Sequence, residues 1–259
     1  MIIRTIIFFL AISFFGSKAT AQTDSVACTE NFRFNYSIGL QTGLDIGAAV
    51  PYPLSAMGSD SKMSATPTLF PQLGLVATAR VAPKWTVTME TTYKQVGVDA
   101  KARVSQQQFI DYDNPDLKIN FRGSVEMSMS FSMLEIPIYA GYDLGGNEGR
   151  VILGAYYSRI FKGNFSARPL KGVLTPPDDP NDITEVDKPM DTQYFDDNLS
   201  KWDWGLLAGY EMKIFDRATL AARLSMGMKD IFRSDARIFE YKMLHMRGTV
   251  VVAYKLFKN

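Results

Sequence analysis

The chain has one histidine, His245, so any imidazole acid or base has to work from that single position. Ser225 and His245 both fall on the polar parity of alternating segments. If the connection from Asp230 to Glu240 joins neighbouring strands, His245 comes near Ser225 and Gly227. A Ser–His pair with Glu211 or Glu240 beside it is the layout of an activated nucleophile, and the reaction class it would suit is lipid hydrolysis. The same polar parity carries Glu90, Lys94, Glu135, Glu211, Arg223 and Arg247, a set that can neutralise itself in pairs. Charges so placed either form a proton path or substrate site, or fill an interior and hold its shape.

Other chemistry finds no footing. One His and one Cys cannot assemble a zinc or iron ligand set. The acidic stretch lacks the D-x-[DN]-x-[DN]-G spacing of a calcium loop, and neither G-x-x-x-x-G-K nor G-x-G-x-x-G occurs. No catalytic residue is assigned, and no cofactor or metal is expected.

The segments that must hold these groups have the period of strands. From Trp202, the residues Trp202, Trp204, Leu206, Ala208, Tyr210, Met212 and Ile214 share one parity, against Asp203, Gly205, Gly209, Glu211 and Lys213 on the other. After the turn Asp216-Arg217 the second arm sets Ala218, Leu220, Ala222, Leu224, Met226 and Met228 against Thr219, Arg223, Ser225, Gly227 and Lys229. This two-residue period belongs to a strand, and arms of this length cross a bilayer at a tilt. Similar runs lie at 34–46, 72–81, 85–96, 124–143, 150–161 and 242–257. In the fourth, Met127, Met129, Phe131 and Met133 are apolar on odd numbers, then Leu134, Ile136, Ile138, Ala140 and Tyr142 on even ones. A β-bulge near Met133–Leu134 is the expected remedy, with Pro137 costing one ladder donor just beyond it.

These runs predict eight strands whose connections alternate long and short, with the long ones at 47–71, 97–115, 162–200 and 230–240. All long connections then share one end, as in outer-membrane barrels. A soluble sandwich has no reason to sort its loops this way. The fold expected is all-β, an eight-stranded antiparallel up-and-down transmembrane β-barrel, with Trp85, Tyr93, Trp202, Trp204, Tyr254 and Phe257 as interface anchors. A barrel of eight strands is filled by side chains; its lumen network should comprise Glu90, Lys94, Glu135, Glu211, Arg223, His245 and Arg247.

The amino terminus agrees with export. Arg4 precedes an apolar run from Ile6 to Phe15 and Ala19-Thr20-Ala21, the pattern of a signal peptide over 1–21. Ten apolar residues are too few to span a membrane as a helix. A leader at 22–33 with the lone Cys28 as a free thiol would follow, then the barrel domain at 34–259. Without Arg4 and Lys18 the 28 basic residues become 26, against 27 acidic, so no basic excess argues for nucleic acid.

At Leu134-Glu135-Ile136-Pro137, followed by Tyr139, Gly141 and Tyr142, the chain resembles the PorT-like outer-membrane β-barrel families of Bacteroidota. The runs Gly205 to Glu211 and Val252 to Phe257 look like later strands of that group. The resemblance implies insertion in the outer membrane by the barrel-assembly machinery, although Lys258 and Asn259 follow the terminal aromatic, a departure from the usual signal. Some members of the group are linked to gliding and type IX secretion.

The functional expectation is a monomeric outer-membrane barrel with a structural or interaction role, accessory to secretion or envelope machinery. Its partners would be the outer-membrane lipid bilayer and an envelope or secretion-system protein or surface glycan. The longest connection, with Asp178, Asp179, Asp182, Glu185, Asp187 and Asp191, is the candidate contact. The alternatives are a narrow, porin-like channel or transporter and the Ser225/His245 hydrolase.

Overall fold

The computed structural model describes residues 34–53, 62–110, 118–145, 149–176, 182–235 and 241–259. The expected signal peptide at 1–21 and the leader at 22–33 with Cys28 lie outside the described residues, as do Asp178, Asp179 and Glu240. The strands are β1 (Asn35–Tyr52), β2 (Lys62–Thr68), β3 (Phe70–Ala82), β4 (Trp85–Ile110), β5 (Lys118–Asp143), β6 (Arg150–Thr175), β7 (Thr184–Val186), β8 (Gln193–Tyr194), β9 (Trp202–Lys213), β10 (Ala218–Asp230) and β11 (Lys242–Lys258).

Eight of these close a ring in the order β1, β3, β4, β5, β6, β9, β10, β11, every neighbour antiparallel and β11 returning to β1. β2 extends the stave of β3: β3 pairs with β4 up to Tyr93, and β2 takes over from Gly97 to Arg103. β7 and β8 pair only with the far part of β6. A closed ring leaves no row of unpaired N–H and C=O groups facing hydrocarbon, the condition a sheet must meet to stand in a bilayer. The turns at Pro83–Lys84, 144–149 and 214–217 share one end with both termini of the ring; the other four connections share the opposite end.

The outer surface has the composition of a core. Leu73, Leu153 and Leu224 are 65, 65 and 73% exposed, and Ile38, Leu40, Leu75, Val87, Ile138, Leu206 and Val250 also face outward. The alternate residues, among them Gln41, Asp45, Thr88, Glu90, Lys94, Arg223 and Arg247, are buried. Such an inverted distribution is stable only with lipid outside.

The strands run further than sequence periodicity indicates. β4, β5 and β6 each have 26 residues, more than twice the roughly 9–11 a tilted membrane strand needs. Residues 97–110 and 162–175, expected as loop, are strand, and the β4–β5 connection shrinks to 111–117. Above the bilayer the outer face meets water, so Asp99, Lys101 and Arg103 are exposed, while Val98, Ala100, Ala102 and Val104 turn inward. Val98, Ala102 and Val104 join Phe121, Met129, Phe131, Phe165, Leu199, Ile231, Phe232 and Met243 in an apolar core that closes the long-loop end. Each fully buried Phe there contributes about 1.5–3 kcal/mol.

The same change of surroundings corrects the expected bulge in β5. Phe121, Val125, Met129, Phe131, Met133, Glu135, Pro137, Tyr139 and Gly141 all face inward, so β5 never changes parity. What changes at Met133–Leu134 is the medium, from water outside and an apolar interior to lipid outside and a polar interior. The bulge sits on β6, where Phe161 is the extra residue between the pairs Met133↔Ile160 and Ser132↔Lys162. Below it β6 buries Ile152, Tyr156, Ser158 and Ile160; above it, Phe165 and Ala167.

Candidate functional site

Inward-facing strand positions bring the ionisable residues together in tiers. In the tier nearer the short turns, Glu90 from β4 accepts two hydrogen bonds of 2.7 Å from Arg223 of β10. Tyr139 of β5 donates to Glu90 Oε1 at 2.5 Å, and Gln41 of β1 donates to Oε2 at 2.8 Å. The Arg223 guanidinium also lies 4.8 Å from the centre of the Tyr139 ring. These donors replace the water that the buried carboxylate has lost.

The next tier is centred on Glu135. Lys94 approaches Oε1 and Arg247 approaches Oε2, both at 2.6 Å, and Ser158 adds a hydrogen bond of 2.9 Å. Lys94 also pairs with Asp45 at 2.9 Å, and Thr249 donates to Asp45. The Arg247 guanidinium sits 4.9 Å from the Tyr156 ring centre, and the Tyr156 hydroxyl donates to Asp203 at 2.8 Å. The interior recesses lined by these tiers measure about 20 and 10 Å³, each room for about one water.

Glu211 lies apart from both tiers, at the short-turn end, 3.6 Å from Arg150. Arg150 also approaches Asp143 at 3.6 Å, and Arg80 pairs with Asp143 at 2.8 Å. A recess of about 310 Å³ opens there, lined by Arg80, Thr86, Arg150, Lys213 and Asp216 among others.

His245 is buried above the Glu135 tier, its ring edge-on to Phe131 with centroids 4.8 Å apart. Neither ring nitrogen has a hydrogen-bond partner among the described residues. Ser225 pairs with Arg247 across the β10–β11 ladder, and a register shift after Met226 separates the two strands at the level of His245. The Ser–His pair considered from the sequence is therefore not brought into hydrogen-bond contact. Sequence reasoning missed Asp45, Gln41, Tyr139, Tyr156 and Asp203. Parity was the available signal: Asp45 and Gln41 lie opposite Leu40 and Leu44, and Tyr139 shares its side with Glu135.

A family model described as outer membrane protein beta-barrel domain matches residues 20–233. The chain belongs to this family. As an outer membrane β-barrel domain protein it resides in the outer membrane, with transmembrane strands and the lipid bilayer around them. No curated protein matches it. Among solved structures it is similar to Ail, the attachment invasion locus protein of Yersinia pestis, at 9% identity and a TM-score of 0.38, covering 87% of this chain and 100% of Ail. It is also similar to Neisserial surface protein A at 11% identity and a TM-score of 0.33, over 85% of this chain and 99% of that one. OprG from Pseudomonas aeruginosa gives 14% identity and a TM-score of 0.26, over 86% and 95%.

With short turns toward the periplasm, this outer membrane β-barrel has aromatic residues at both rims of its apolar band. Trp85 and Tyr142 meet edge-to-face at 5.1 Å beside the periplasmic turns, and Tyr254 and Phe257 lie exposed at the same end. At the outer end a cross-strand row runs through Tyr93, Leu134, Arg159 and Trp202. Trp202 stacks on Tyr157 with centroids 6.3 Å apart, and Trp204 is exposed one outward position below. Trp85 and Tyr93 are eight residues apart on β4, about 27 Å along the strand and about 20 Å along the axis at a tilt of about 40°.

The acidic connection is more ordered than its composition suggests. Thr184–Val186 and Gln193–Tyr194 pair with β6. Met190 N–H donates to Pro169 O and Phe195 N–H to Phe165 O, both at 2.9 Å. Val186 is buried against this frame, which leaves Asp182, Glu185, Asp187 and Asp191 exposed along the extracellular edge of β6.

Proposed function

We propose that this outer-membrane barrel is a non-enzymatic interaction protein. Its lumen serves as a rigid filling, and its extracellular connection at residues 182–197 contacts a protein of the envelope or secretion machinery, or a surface glycan. One observation carries the reading: the connection is pinned to β6 at several levels, so exposed Asp182, Glu185, Asp187, Asp191, Ile183 and Tyr194 stand as a fixed surface. Pre-organisation of that kind lowers the entropy lost on binding. The interior supports it from the other side, because ion-paired tiers and an apolar core occupy the space a solute would need. The Leu134–Pro137 motif adds the PorT-like resemblance, and with it an accessory role in secretion. A narrow channel or transporter is the competing reading.

Reversing Asp182, Glu185, Asp187 and Asp191 to Lys in the full chain tests the proposal. The variant should insert and fold as the wild type does, while the protein or glycan that co-purifies with the wild type from solubilised outer membranes is lost. Unchanged co-purification would refute the assignment to this connection.

A further inference from the structure

Arg159 occupies an unusual place. It lies in the outward row Tyr93, Leu134, Arg159, Trp202, a row otherwise apolar or aromatic, at the level where the barrel leaves the outer leaflet. It is exposed and has no ion-pair partner among the described residues. Lys162 and Lys201 are exposed beside it without carboxylate partners among the described residues, and Ile160 N–H donates to Lys201 O at 2.9 Å, which fixes the two strands against each other here. Two carboxylates, Asp196 on the β8–β9 connection and Asp230 at the end of β10, are committed elsewhere. Asp196 accepts from Phe165 N–H at 2.8 Å, and Asp230 accepts from Phe232 and Met243 N–H at 3.2 Å.

Trp202 gives the patch a rigid floor. Tyr157 stacks on it, Lys229 Nζ lies 3.6 Å from its ring centre, and Ser200 Oγ both accepts from Lys229 at 2.5 Å and donates to Trp202 O at 3.0 Å. A guanidinium without a protein partner at the rim of the apolar band reaches toward the headgroup layer, where anions of the bilayer are within its range. The anions at that depth in an outer leaflet are the phosphates of its glycolipid, and the planar fork of Arg binds phosphate through two parallel hydrogen bonds. We propose that Arg159, with Lys201 and Lys162 around Trp202, binds a phosphate group of a phosphorylated glycolipid of the outer leaflet, a lipid of the lipid A type. This site is independent of the partner assigned to the acidic connection.

The full chain reconstituted in phosphatidylethanolamine vesicles, with or without bisphosphorylated lipid A, provides the test. Bisphosphorylated lipid A should raise the thermal unfolding midpoint of the wild type, and its dephosphorylated counterpart should not. R159Q/K201Q should bind the phosphorylated lipid about tenfold more weakly, whereas K101Q, at a surface pair 3.2 Å from Glu126 on β5, should keep wild-type affinity. In the wild type alone, tryptophan fluorescence should titrate with the phosphorylated lipid and not with the dephosphorylated one, a readout that does not depend on any variant folding. Equal responses to both lipids, full retention of affinity in R159Q/K201Q, or reproduction of the whole effect by inorganic phosphate would overturn the proposal.

Discussion

Arg223 and Glu90 lie 133 residues apart in sequence and meet across the lumen through two parallel hydrogen bonds of 2.7 Å. Both side chains are almost fully enclosed, at 7 and 1% exposure, so each is the other's replacement for water. Removing one partner leaves a buried charge without its counter-ion, which typically costs about 3–5 kcal/mol. Arg223→Ala or Glu90→Ala should each lower stability by that order in urea unfolding from detergent micelles. The double replacement Glu90→Leu/Arg223→Met removes both charges and should recover most of the loss. A double variant as unstable as the sum of the singles would show that the pair is not coupled.

Gly154 explains how Tyr139 reaches Glu90. The two are cross-strand partners on β6 and β5, and a Cβ on Gly154 would overlap the Ile138 carbonyl and the Tyr139 backbone. The bare glycine lets the two backbones approach with the tyrosine folded over the gap. Gly154→Val should therefore destabilise the barrel by about 1–3 kcal/mol, the usual cost of forcing atoms into a packed interior. Thermal unfolding of the variant at wild-type stability would remove Gly154 from this role.

Tyr241, at the extracellular end beside β11, packs against the apolar core there, and burial pushes its phenol up to about 12. An unfolded tyrosine ionises near 10. Between the two values the unfolded chain has released a proton that the folded chain keeps. The tyrosine's stabilising contribution is thus complete below about pH 10 and is lost as the pH rises through about 12. Tyr241→Phe should flatten the fall in unfolding midpoint between pH 10 and 12; an identical alkaline profile in both proteins would contradict the burial argument.

Periodicity made the transmembrane part legible because lipid imposes a strict rule on the outward side chains. The Trp202–Met228 hairpin satisfies it at every outward position, with Trp202, Leu206 and Leu224 outside and Asp203, Glu211 and Arg223 inside. The rule lapses above the bilayer, where Asp99, Lys101 and Arg103 face water and the apolar side turns inward. That is why residues 97–110 and 162–175 read as loop and why the switch in β5 looked like a bulge. Glu90, Lys94, Glu135, Arg223 and Arg247 stand on the buried parity of their strands, but parity does not say which acid meets which base. That depends on stagger around the ring, which brings β4 and β10 together across the interior. Asp45 is one acidic residue in a strand otherwise without charge, and Tyr139 and Tyr156 carry no charge at neutral pH, so nothing in their type marks them as members of an ion-pair network.

Planar-bilayer recording of the purified full-length barrel tests the central claim most directly. Three charged side chains, Lys94, Glu135 and Arg247, meet at 2.6 Å in mid-lumen, beneath the apolar core around Phe121, Phe131 and Phe165. A barrel filled in this way and acting through its extracellular surface should give a quiet baseline with no unitary conductance steps. Reproducible steps from the wild-type protein, with a conductance that changes in Glu135→Ala, would contradict it and turn the same charged tiers into the lining of a pore.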